Sequence, residues 1–191
     1  MSNEAPGAAI RRVVDAFEQM KVSWFLTGSI ASSLHGLPRS TNDLDIVMAL
    51  SPSAVENLVE RLGDGYFADA AMIRQAILKR QSCNLIWLET MMKIDLMPPR
   101  FAFDGEAMQR RVKATIDEGQ GATLSVMVAS AEDTILAKLF WYQAGGQTSQ
   151  RQVSDIRGII SVQGARLEQT YLDKWIEALA LGDVWRAIVK A

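Results

Sequence analysis

Ile10, Val13, Val14, Phe17 and Met20 recur at three- and four-residue steps, so residues 5–21 are predicted to form an opening amphipathic helix. SWFLTG then reads as a short strand ending at Gly28. SIASSLHG follows as a short helix of small residues, stopped by Gly36 and Pro38. The run Leu44 to Leu50 is the second strand. Ser51-Pro52-Ser53 opens another helix, with Glu56 placed to complete a capping box with Ser53. Its apolar face is Val55, Leu58, Val59 and Leu62. Residues 69–81 are predicted to be helical again. CNLIWLE and MKIDLM, separated by little more than a turn, read as adjacent strands, and Pro98 and Pro99 end the second.

A strand near 123–129 precedes Ser130, which begins a second capping pattern with Asp133. Beyond it the spacing is helical throughout: 131–143, 149–162 and two helices after 166, broken most clearly at Gly145-Gly146-Gln147-Thr148. The chain therefore divides into a mixed α/β portion, 1–129, and a helical C-terminal region, 130–191, expected to pack on the first portion rather than fold alone.

Composition narrows the class without choosing a function. The 191 residues are 49% hydrophobic and 22% charged, enough to bury a core. A net charge of −2 supplies no strong field of either sign, so any nucleic-acid groove has to be local. Cys83 is the single cysteine, which rules out an intrachain disulfide. MSNEAPGAAIRR lacks the basic start and apolar stretch of a signal peptide, and no apolar run is long enough to span a bilayer. A cytoplasmic protein with no membrane partner is the expectation.

Candidate chemistry begins with Asp43 and Asp45 at the mouth of an apolar strand. Residues two apart on a strand share a face, so the two carboxylates project together while Leu44 points the other way. They lie on a solvated strand end, or they hold a cation. Carboxylates at this spacing can bridge two divalent ions about 3.5–4 Å apart, as two-metal phosphoryl chemistry requires. Hard oxygen donors of this kind suit Mg²⁺. A third acid is available in Asp95, which shares a face with Lys93 and Met97 in an otherwise apolar strand. An acid there is costly unless paired, hydrogen-bonded or metal-bound.

Gly28-Ser29 stands between a strand and a helix N-terminus, where free N–H groups and the helix dipole favour phosphate. Arg39 and Thr41 precede the acids by short steps and offer a phosphate fork and a hydroxyl donor. Each feature alone is ordinary; the joint pattern is specific.

Gly28-Ser29, His35-Gly36, Arg39, Thr41, Asp43 and Asp45, with Asp95 in a later strand, resemble the nucleotidyltransferase superfamily of the DNA polymerase β type. The string HG-x-x-R-x-T-x-D-x-D is similar to small bacterial nucleotidyltransferase-like proteins, among them toxin components of abortive-infection type IV toxin–antitoxin systems. The resemblance covers residues 22–50 and 92–97. It extends more loosely to AEDTILAKLF and to Arg151 through Ile160.

The resemblance implies an α/β (α+β) fold, a short mixed sheet flanked by helices, with a helical C-terminal region closing over a nucleotide. It implies that Gly28 and Ser29 contact the triphosphate, that Arg39 and Thr41 support the loop or phosphates, and that Asp43, Asp45 and Asp95 bind Mg²⁺ or Mn²⁺ and carry catalysis. Lys138 would neutralise phosphate charge, and Asp155 would orient it or pair with Arg151. By pattern alone, Lys138 and Asp155 equally read as an exposed lysine and a helix-surface acid.

The implied reaction is in-line attack of a hydroxyl on the α-phosphorus of an NTP such as ATP, with release of pyrophosphate. The acceptor is an RNA end, a protein side chain or a small molecule, and an antitoxin-like partner protein is a further expectation. A different class stays open: a nucleotide- or partner-binding module that keeps the fold without turnover. His35, the five tryptophans and the basic group Arg100, Arg110, Arg111 and Lys113 are expected to serve packing, capping or a solvated face. Glu132 and Asp133 either line an acidic acceptor pocket or favour a helix start.

Overall fold

The computed structural model describes residues 6–41 and 43–190. Its apolar strands join in one mixed seven-stranded sheet, counted among these residues. They are β1 (Trp24–Leu26), β2 (Asp43–Met48), β3 (Tyr66–Phe67), β4 (Cys83–Trp87), β5 (Met92–Met97), β6 (Val112–Gly119) and β7 (Ala122–Val128). The order is β3-β4-β5-β2-β1-β7-β6. β2 runs parallel to β5 and β1 parallel to β7, and the other pairs are antiparallel.

Strand alternation gives the sheet two apolar faces. On one, Leu44, Ile46, Ile94 and Leu96 pack with Ile10, Val13 and Phe17 of α1 (Pro6–Gln19), Leu58 and Leu62 of α3 (Val55–Leu62), and Ile73 of α4 (Ala70–Lys79). On the other, Phe25 and Val47 pack with residues of α6 (Ala131–Ala144), α7 (Gln150–Gln163), α8 (Gln169–Ala178) and α9 (Gly182–Lys190). The mixed sheet between helical layers is the architecture expected from the resemblance. Among the described residues no helix is long and apolar enough to cross a membrane. Ala5, the first residue of the predicted opening helix, lies outside the described residues.

Three elements escaped the pattern: β3, β6 and α5 (Asp104–Arg110). The signal for β6 was present. Ala114 and Ile116 are more buried than Lys113, Thr115 and Asp117 between and beside them, and a Gly-Gln-Gly hairpin with positive φ at all three residues joins it to β7. Charged residues at its exposed positions hid an edge strand, where such residues belong.

The predicted capping box does not form. Pro52 begins a 3₁₀ turn, Pro52–Ala54, and α3 starts only at Val55 with no side-chain cap. Ser53 instead meets Ser51, Oγ to Oγ at 3.1 Å, and Glu56 pairs with Arg74 of α4. The cap at Ser130 does form: its Oγ accepts the Asp133 N–H at 3.1 Å.

Candidate active site

The parallel register of β2 and β5 sets Asp45 beside Asp95 and Asp43 beside Lys93. All four side chains share a face, because paired and alternate positions point the same way. It is the face that carries Val47 and looks toward the C-terminal helices. Asp45 is half-buried, and its carboxyl is pushed above the ordinary value by burial first, then by the charges of Asp95 and Asp43; Lys138 and Lys93 act in the opposite sense. Asp43 is exposed, and Asp95 accepts a hydrogen bond from Lys93 Nζ at 2.9 Å.

Asp45 is also clasped from the side of β1. Its backbone oxygen accepts the Thr27 N–H at 2.9 Å. At the next residue the chain turns into α2 (Gly28–His35) with Gly28 at φ +59°, a region L side chains rarely adopt. A Cβ at Gly28 would overlap the Asp45 carboxylate. The start of α2 and the acid are therefore in direct apposition. Gly28→Ala is expected to lower the unfolding free energy by about 1–3 kcal/mol and to displace Asp45, seen as a lower thermal midpoint.

Facing the acids is a buried charge network. Asp155 of α7 receives Arg39 Nε at 2.9 Å, Arg39 Nη2 at 3.0 Å and Lys138 Nζ at 2.7 Å. Ser32 of α2 adds a longer contact at 3.4 Å, and Arg39 also donates to Ser29. Lys138 and Asp155 are both buried, not the exposed lysine and surface acid their spacing alone allowed. Burial alone would raise the Asp155 carboxyl, but its hydrogen bonds from Arg39 and Lys138 outweigh burial and hold it below its ordinary value. Lys138 is depressed by burial, which its contacts with Asp155 only partly offset. One anion thus serves two cations. Asp155 orients Lys138, as the resemblance implies, and its second cationic partner is Arg39 rather than Arg151.

Asp45 and the charge network open on one cleft of about 340 Å³ between the sheet and the C-terminal helices, while Asp43, Lys93 and Asp95 stand outside its lining. Gly28, Ser29, Arg39, Asp45, Lys138 and Asp155 line its polar end. Met97, Phe101, Phe103 and Trp141 line its apolar end, with Arg100 at 4.8 Å over the Trp141 ring. Thr41 stays outside this lining; its Oγ1 bonds the backbone oxygen of Asp43 at 3.1 Å and so braces the strand entry. Asn42, between them, lies outside the described residues.

Several residues depart from their sequence expectation. Trp141 is 42% exposed and lines the cleft, whereas Trp24, Trp87 and Trp175 pack as expected. Arg100 belongs to the cleft, and Arg110 is ion-paired with Glu132 at 3.1 Å and Glu168 at 2.6 Å, so the basic group is not one solvated face. Glu132 also accepts the Glu168 N–H, and Asp133 accepts from Tyr171 and Ser130, both at 2.7 Å. Their oxygens are taken by the protein itself. His35 Nε2 meets the Ala129 carbonyl at 2.7 Å and ties the end of α2 to the start of the helical region.

The acids fit a divalent cation in donor type and in charge: three carboxylates offer hard oxygens, and Asp45 is pushed up by burial and then by its acidic neighbours. Among the described residues no three acidic, histidine or cysteine side chains already stand as a ligand set. Asp95 is engaged by Lys93 through one oxygen, so a cation drawn to Asp95 competes with that ammonium.

Comparison with known proteins bears on the fold. No family model and no curated protein sequence matches the chain. Among solved structures, it superposes on the lincosamide antibiotic adenylyltransferase LnuA, bound to lincomycin, with a TM-score of 0.50 and 17% identity, covering 84% of this chain and 99% of that one. It is similarly like an antigenic nucleotidyltransferase-like protein from Paracoccidioides brasiliensis, with a TM-score of 0.51 and 15% identity over 98% of this chain and 94% of that one. The chain has a nucleotidyltransferase fold.

Proposed function

We propose that this chain transfers a nucleoside monophosphate from an NTP to a hydroxyl acceptor and releases pyrophosphate. One observation carries the reading: a desolvated acid on a strand, a glycine-opened helix N-terminus pressed against it and a buried lysine all line the same cleft. That combination binds a polyphosphate beside carboxylates. The likeness of fold to nucleotidyltransferases supports the same reading.

In this reading Asp43, Asp45 and Asp95 hold Mg²⁺ or Mn²⁺, which when bound polarises phosphate oxygens and lowers the pKa of a coordinated hydroxyl. The N–H groups at Gly28 and Ser29 receive the triphosphate, and Lys138 stabilises negative charge that builds up during transfer. Arg39 spends two of its nitrogens on Asp155, so it holds Lys138 in place through that acid more than it grips phosphate. Glu132 and Asp133 are hydrogen-bonded within the protein, although Asp133 also lines the cleft.

The apolar end of the cleft suits the nucleobase. Its stacking partners are Trp141, Phe101 and the Arg100 guanidinium. Truncating such a platform costs about 1–3 kcal/mol. Trp141→Ala is thus expected to raise the KM for NTP about tenfold with little change in kcat, read in steady-state kinetics.

The test is incubation of pure protein with each α-³²P-labelled NTP and Mg²⁺ or Mn²⁺, with and without RNA and cell lysate, beside an Asp43→Ala/Asp45→Ala double variant. Label transferred by the wild type alone supports the reading and shows the acceptor class. Metal-dependent NTP binding with no transfer under any condition favours a binding module instead. The Lys93–Asp95 ion pair, which neutralises the third acid, is the observation that speaks for that second reading.

A further inference from the structure

Lys93 is the feature of the acidic face that neither the motif nor the proposed reaction uses. It lies two residues before Asp95 on the same strand face, in register with Asp43 across the parallel pair. Its ammonium is bonded to Asp95 at 2.9 Å. The carboxylates that act on it are Asp95, Asp43 and Asp45, the three acids of the candidate site. A cation is therefore already built into the cluster.

We propose that Lys93 is the resident counter-ion of this site: in the free protein its ammonium holds Asp95, and a divalent cation binds in competition with it. The proposal rests on the reading of Asp43, Asp45 and Asp95 as cation ligands, and goes beyond it by assigning to Lys93 the control of cation affinity.

The physical case is competition for one carboxylate. The ammonium engages only Oδ2 of Asp95, so an ion can approach the carboxylate, but an ammonium and a divalent ion held on one carboxylate repel each other and divide its charge. The lysine side chain is 44% exposed, so it has solvent to swing into when it is displaced. The pair is part-buried, with only its lysine open to solvent, and the energy to part it stays modest on that side, which makes the exchange possible at ordinary cation concentrations. Lys93 thereby lessens the repulsion among the acids in the empty site and lowers the site's affinity for a bare ion. An ion that arrives on a triphosphate brings extra ligands and outcompetes the lysine.

The experiment is a titration of the protein with Mn²⁺ alone, no nucleotide present, following the electron paramagnetic resonance signal of free Mn²⁺. Lys93→Met and Lys93→Gln are each expected to bind Mn²⁺ about tenfold more tightly than the wild type. Lys93→Arg, which keeps the charge and pairs well with a carboxylate, is expected to stay within about twofold. A second readout is thermal unfolding in EDTA and in excess Mn²⁺. The rise in midpoint on adding Mn²⁺ should be larger in Lys93→Met than in the wild type, because the ion replaces a lost counter-charge.

Each variant is also made with Asp45→Asn. Mn²⁺ binding that Asp45→Asn abolishes, but that is equally tight or weaker without Lys93, overturns this proposal and leaves the cation-site reading intact. Binding that is absent in every background, or indifferent to Asp45→Asn, overturns that reading and this proposal with it.

Discussion

Asp45→Asn is expected to lower transfer on the order of 10³-fold while leaving the thermal midpoint, measured in EDTA at neutral pH, at or above that of the wild type. The two effects separate because the carboxylate is unfavourable to the fold. It is desolvated and stands among Asp95 and Asp43, which together hold its pKa above the ordinary value. Below the ordinary carboxylate range, about pH 4, Asp45 is protonated in both folded and unfolded chains and carries no penalty. As pH rises past the raised folded value, the native protein has to hold a buried anion that the unfolded chain holds in water, and the cost is fully present at neutral pH. Asparagine has the same shape without that charge.

The stability advantage of Asp45→Asn over the wild type should accordingly shrink as the pH is lowered from about 7 to about 4. Thermal unfolding across that range, beside the α-³²P transfer assay, checks both halves. A variant that unfolds but retains specific activity per folded molecule would contradict the assignment of Asp45.

Asp155→Ala carries the largest expected loss of stability. Its carboxylate is the shared partner of Arg39 and Lys138 and is 6% exposed, as Lys138 is 7%. Removing one partner from a buried ionic network leaves charge uncompensated and costs about 3–5 kcal/mol. For a chain of this size each kcal/mol moves the midpoint by roughly 2–4 °C, so a fall of roughly 6–20 °C is expected.

The sign of the pH dependence is opposite to that of Asp45. Burial would raise Asp155, but its two cationic partners hold it below the ordinary value. Its stabilisation is therefore present above about pH 4 and is lost as the pH falls through the lowered folded value. The wild type should approach Asp155→Ala in stability at acid pH. Because Asp155 also orients Lys138, the variant should show weaker NTP binding even at temperatures where it is fully folded, measurable by calorimetric titration.

Trp141→Ala and Asp155→Ala act on two parts of one cleft, and Lys93→Met on the acidic strand face beside Asp45. The first changes the binding of the base, the second the placement of the buried lysine, the third cation affinity. The contacts behind them are separate, so the binding phenotypes should combine additively where the residues stand well apart.

How much of this was legible beforehand follows from the range of each interaction. The short strand that ends at Leu26, two residues before the expected Gly28, the helix of small residues after it, the Asp-x-Asp strand and the Ser130 cap are local events, and their residues lie next to one another in the chain. Periodicity and turn chemistry reach that far and no further. The pattern failed where the local signal was overridden. Pro52 moved a helix start by imposing a 3₁₀ turn, and solvent-facing charges on β6 disguised an edge strand.

α6 was legible as a helix but not in its orientation. It is buried on nearly all sides, with Glu132, Asp133 and Lys138 as well as its apolar residues out of solvent, so no stripe marks which face meets the cleft. The sequence by itself determined which residue types were available for phosphate and cation chemistry, and that Asp43 and Asp45 share a face. Only the tertiary structure decided that Asp95 stands beside Asp45, that Asp155 joins Arg39 to Lys138 and that Trp141 faces a cleft. Those are pairings across 17 to 116 positions of chain or between separate strands, and they are set by sheet register and helix packing, which no local pattern encodes.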